Sequence, residues 1–239
     1  MLNNKKSYLI ATTIFVVAQI ILGVLVQFSS GKTYSWLTIS VVALCLIFVL
    51  LNFDKKFLNA IMLLTMFFTV CADLFLCGLI ESENVKLIAM IFFNLVQIGY
   101  LLRIYFNHET KKQKIIHLSV RGSIIFIAVL ATILVLKKNV NALAIVSLIY
   151  YANLIVNIVF SFMQTKISIL LPIGLVLFIL CDTFVGLSVM EELFISFNEG
   201  KFLYRLAHPS INVSWLFYVP SQVLLALSVR ENLLIKRKQ

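Results

Sequence analysis

The chain of 239 residues is 62% hydrophobic and 13% charged, with a mean hydropathy of +1.04 and a formal net charge of +10. A soluble domain of this length needs far more charge to cover its surface, so the composition excludes one. The charge is confined to short segments between long apolar runs, which describes an all-α polytopic membrane protein with a single integral-membrane domain over residues 1–239.

A helix needs about 20 mostly apolar residues to cross the hydrocarbon core. Eight segments meet that standard: 8–28, 34–52, 57–80, 86–106, 120–136, 141–163, 167–190 and 209–229. "NNKK" precedes the first, but its apolar run is too long for a signal-peptide core. No A-x-A-like cleavage site follows in "VQFSSGK", so the segment reads as a retained helix. The third span holds "FFTVCADLFLCG", apolar except for Asp73. The fourth carries Gln97 and Tyr100, and the basic loop "HETKKQK" follows it, with His108 and His117 both read as loop residues. The sixth places Asn153 and Asn157 at i,i+4, a stripe suited to hydrogen bonding between helices. The seventh repeats the theme of the third, with Asp182 in "LVLFILCDTFVG". The eighth carries Tyr218 and Gln222 in "FYVPSQVLLALS". Pro172 and Pro220 fall inside spans, where membrane helices tolerate proline.

With the N-terminus inside, the cytoplasmic side collects fourteen of the 20 Lys and Arg residues. Arg103 and Arg121 are among them. The positive-inside bias therefore predicts a protein of the cell membrane with both termini cytoplasmic. The net charge then faces anionic headgroups, and no nucleic-acid partner is needed to account for it. Cys45, Cys71, Cys77 and Cys181 all lie in spans and read as small packing residues, not as a disulfide framework.

In this topology the third and seventh helices run outward with Asp73 and Asp182 at matching depth, roughly 10–12 Å below the outer boundary. Gln97 and Gln222 correspond in the same way on the fourth and eighth. The pattern suggests two parallel four-helix repeats, 1–110 and 111–239. A carboxylate in such a segment costs about 2.5–3.5 kcal/mol on insertion scales, so both acids should face the bundle interior. A close pair of carboxyl groups can share a proton, one member serving as acid and the other as base. That suits hydrolysis, and it suits proton-coupled transport equally. His108, His117 and His208 do not converge, so no metal or other cofactor is expected. There is no G-x-S-x-G elbow and no Cys–His pairing for a covalent nucleophile.

Taken together, "CADLFLCGL", "LFILCDTFVGL" and "FYVPSQVLLALS" resemble the YhhN-like lysoplasmalogenase family. The matching positions are Ala72 and Asp73, Phe178 and Asp182, and Tyr218 with Gln222. Val96, Gln97 and Tyr100 fall on a family pattern of about A-H-x-x-Y, with glutamine in place of histidine. The Lys-Pro usual near helix two is absent. The resemblance implies hydrolysis of the vinyl-ether bond of lysoplasmalogens, with Asp73 and Asp182 catalytic and Gln97, Tyr100, Tyr218 and Gln222 binding a lysophospholipid. Two other readings stay open, a small proton-coupled transporter and a lipid-binding family member without catalysis.

Overall fold

The structure, a computed structural model, describes residues 5–53, 57–107, 110–137, 140–164, 168–193, 202–208 and 211–235. They form α1 (Lys5–Gln27), α2 (Gly31–Leu51), α3 (Phe57–Leu76), α4 (Val85–Asn107), α5 (Lys111–Leu136), α6 (Ala142–Phe162), α7 (Leu170–Leu193), α8 (Phe202–Ala207) and α9 (Val213–Ile235), with no strand among the described residues. The helices α1 to α7 are long and apolar enough to cross a bilayer, and Val213–Val229 of α9 is a shorter apolar stretch. Each of the eight expected spans is therefore a helix. Their outward faces are apolar, with Phe28, Trp36, Phe126 and Ile127 all exposed. Such faces fit a hydrocarbon surround, where helices need no polar exterior.

Three boundaries differ from the hydropathy reading, each for a local reason. α3 stops at Leu76, not at 80. Gly78 adopts φ +70, its N–H bonds the Phe75 carbonyl, and Leu79 N–H bonds the Leu74 carbonyl at 3.1 Å. That pair of bonds is a Schellman motif, which closes a helix at a glycine free to take the left-handed conformation. α5 starts well before 120, because Thr110 and Gln113 form a reciprocal capping box. The sequence T-K-K-Q is the signature of such a start. His117 is consequently a buried helical residue and not part of a loop; His108 lies outside the described residues. The short α8, which precedes His208, has no counterpart among the expected spans.

The most extensive packing pairs α3 with α4 and α7 with α9. Both pairs approach closely through a glycine. A Cβ on Gly99 would meet Thr65 Oγ1 at 2.0 Å, and one on Gly174 would meet Leu225 Cγ at 2.9 Å. Interior spacings also recur between α3 and α7 and between α4 and α9. Met62, Met66, Thr69 and Asp73 on α3 match the spacing of Leu171, Leu175, Phe178 and Asp182 on α7. Phe93, Gln97, Tyr100 and Ile104 on α4 match Tyr218, Gln222, Leu225 and Val229 on α9. Spacings of three and four place each set on one helix face.

Candidate functional site

The two acids occupy different local settings although they sit on matching helices. Asp73 is buried, less than one turn from the end of α3, while Asp182 is partly buried about three turns before α7 ends. Equal depth measured from helix ends is therefore not observed. Even so, the two carboxyl groups lie within electrostatic reach of each other, with Cys181 in reach of both.

Each acid is held by a tyrosine from a neighbouring helix. Tyr218 of α9 donates its hydroxyl proton to Asp73 Oδ2, and Tyr150 of α6 does the same for Asp182 Oδ2. Neither Oδ1 has a hydrogen-bond partner among the described residues. An aromatic row connects the two tyrosines. The Tyr150 ring meets Phe93 at 5.8 Å, Phe93 meets Phe178 at 6.1 Å, and Phe178 meets Tyr218 at 5.8 Å. The carboxyl groups are thus held at the two ends of one aromatic row, each bonded through a single oxygen. Tyr218 was expected at the site; Tyr150 was not.

Further into the bundle the remaining expected residues are all enclosed. Gln97, Tyr100 and Gln222 are fully buried. Gln97 Oε1 accepts from Asn157 Nδ2 at 2.9 Å, and the Gln97 carbonyl accepts from the same group at 3.0 Å. Gln97 Nε2, Tyr100 Oη, Ser221 Oγ and both amide atoms of Gln222 have no protein partner among the described residues. A buried polar atom without a partner costs about 1–3 kcal/mol. Tyr100 is also within electrostatic reach of Tyr150, which ties this polar layer to the acids.

Two arginines counted on sequence as headgroup-facing are interior. Arg121 on α5 donates to Asn153 Oδ1 and, at 2.7 Å, to Asn157 Oδ1, and it lies 3.0 Å from His117 Nε2. The expected asparagine stripe is therefore interhelical glue, joining α6 to both α5 and α4. Arg103 on α4 donates to Ser228 Oγ at 2.7 Å and to the Ser228 carbonyl at 2.6 Å. Neither arginine has a carboxylate partner among the described residues. Both lay near span ends on hydropathy, which hid their burial.

The described residues contain no cluster of His, Cys, Asp and Glu able to hold a metal ion, and all four cysteines are free. What the arrangement offers chemically is two carboxyl groups within electrostatic reach of each other, each bonded to a tyrosine, beside a row of aromatic rings. In comparisons with known proteins, the family model described as YhhN family matches residues 32–229, which runs from α2 through most of α9. Neither a curated protein nor a solved structure matches the chain.

Proposed function

Because the chain belongs to the YhhN family, we propose that it hydrolyses the vinyl-ether bond of lysoplasmalogens, releasing a fatty aldehyde and a glycerophospho-alcohol. The observation that carries this reading is the two carboxyl groups of α3 and α7, each anchored by one tyrosine through a single oxygen and joined by one aromatic row. Vinyl ethers hydrolyse by protonation at carbon, which leaves an oxocarbenium ion that water attacks. One protonated carboxyl supplies the proton, and its ionised neighbour takes a proton from the attacking water. The hemiacetal so formed collapses to aldehyde and alcohol. Gln97, Tyr100, Tyr218 and Gln222 would orient the glycerol and phosphate end of the substrate.

One feature favours a second reading. Gln97 stands where the family pattern carries histidine, and an amide does not titrate. With its oxygen committed to Asn157, Gln97 suits a lipid-binding member of the family that lacks catalysis. A proton-coupled transporter using the same acids is the remaining alternative. Purified protein incubated with lysoplasmalogen and assayed for aldehyde separates these readings. Asp73→Asn and Asp182→Asn should each lower release by about 10²–10⁴-fold, the usual worth of general acid–base catalysis. Wild-type turnover that survives both changes would sink the assignment. Gln97→His should hold or raise turnover in a hydrolase; turnover seen only in that variant marks a family member that has lost its catalyst.

A further inference from the structure

Arg121 stands at the head of a chain of hydrogen bonds whose direction is fixed by chemistry. A guanidinium only donates, so the amides it meets on α6 must turn their oxygens toward it. Asn153 Oδ1 and Asn157 Oδ1 do so. Asn157 therefore points its Nδ2 the other way, at α4, where the Gln97 carbonyl accepts it at 3.0 Å. A carbonyl only accepts, so the Asn157 amide is fixed from both sides, by Arg121 and by the α4 backbone.

The Gln97 side chain meets that same Nδ2. It must present Oε1, which accepts at 2.9 Å, and its nitrogen is turned away. Gln97 Nε2 is buried and has no partner among the described residues. A buried donor of this kind costs about 1–3 kcal/mol until it finds an acceptor. Gln222, at the equivalent place on α9, has no such lock, since neither of its amide atoms has a partner among the described residues. Of these two glutamines only Gln97 has a set polarity.

What Gln97 can serve follows from its place on α4. Phe93, one turn earlier on the same face, stands in the aromatic row that joins Tyr150 to Tyr218. Gln97 lies about 6 Å further along the helix than that row. In a lysophospholipid the glycerol hydroxyl and the phosphate oxygens follow the ether linkage by a few bonds, a matching span.

We infer that Asn157, held by Arg121, is a positioning residue: it sets Gln97 as a fixed hydrogen-bond donor that receives an oxygen from the glycerophosphate end of a lysophospholipid. That the oxygen belongs to this lipid rests on the hydrolase reading; the orientation of the amide does not.

The test makes two measurements on full-length protein in phosphatidylcholine nanodiscs at pH 8. One is the thermal transition; the other is affinity for a saturated lyso-ether phospholipid, which keeps the oxygens but has no vinyl ether to hydrolyse. Asn157→Leu frees Gln97 to turn and should weaken the probe about threefold. In Asn157→Asp the new carboxylate keeps its bond to Arg121, but its second oxygen only accepts, so Gln97 Nε2 turns to it and Oε1 faces the interior. That variant should be the more stable of the two and yet bind the probe worse, at least about tenfold below wild type, the worth of one lost hydrogen bond to a charged group. A merely structural asparagine would rank the two variants alike in both measurements, and that result overturns the proposal. Gln97→Met should weaken the probe as much as Asn157→Asp does. Undiminished binding there would mean that the amide meets water and not the lipid, which also overturns it, as does wild-type protein that fails to bind the probe. Reversed ranks without aldehyde release from lysoplasmalogen keep the fixed donor and defeat the hydrolase reading. Aldehyde release with unreversed ranks does the opposite.

Discussion

Asn157 shows how one side chain can hold three helices together. Its amide accepts from Arg121 on α5 and donates to Gln97 on α4, while it sits on α6 itself. Asn157→Leu removes an acceptor from a buried guanidinium and a donor from a buried amide. We expect a loss of about 1–3 kcal/mol, read as a lower thermal transition in detergent. Asn157→Asp keeps the acceptor and adds a charge facing Arg121, so it should lose less. Equal loss in both variants would mean that the Arg121 bond contributes little. Of the site, Asp73 and Asp182 were legible because an acid stands out in an apolar run, and Tyr218 because it falls in the last-helix pattern. Tyr150 was not, since a tyrosine among apolar residues carries no mark of the partner it will meet. Arg121 and His117 were hidden by hydropathy, which averages across "KKQK" and starts the helix too late. The capping signature at Thr110 was the available signal.

At the level of helices, α3 against α4 is the tightest fit, and Thr65 and Gly99 set its spacing. Gly99→Val should drive α4 off Thr65 and cost about 1–3 kcal/mol or more, the usual range for overpacking. Thr65→Gly in the same chain should return part of that stability. A double variant no more stable than Gly99→Val alone would show that the glycine serves some other purpose. The α7–α9 pair places its glycine on the opposite partner, Gly174 facing Leu225. Each pair therefore has one glycine-made space, supplied by α4 in the first pair and by α7 in the second. Helix ends were less legible than helix existence. The Schellman turn at Gly78 and the capping box at Thr110 act through backbone bonds that an average over apolar residues does not register.

For the whole molecule, the basic residues predict both termini on the cytoplasmic side. Removing Arg103 and Arg121 from the headgroup layer takes two charges from that side and leaves the excess in place. Reporter fusions at residues 84 and 198 should read the outer side, and one at 112 the cytoplasm. An outer signal at 112 would reverse the orientation and move the acid-bearing end of the bundle to the other leaflet. The eight spans were legible because each apolar run is bounded by charge or by a turn. The short α8 was not, because six residues leave no periodic pattern.

Arg103 and Ser228 occupy equivalent places on α4 and α9, counted from Gln97 and Gln222, and they bond directly to each other. α4 packs chiefly on α3, and α9 chiefly on α7. The Arg103–Ser228 bonds therefore tie one helix pair to the other, through a side chain long enough to reach across and a serine that offers it two oxygens. A buried cation is held here by neutral acceptors alone, so the fastening between the pairs does not depend on the ionisation of any acid.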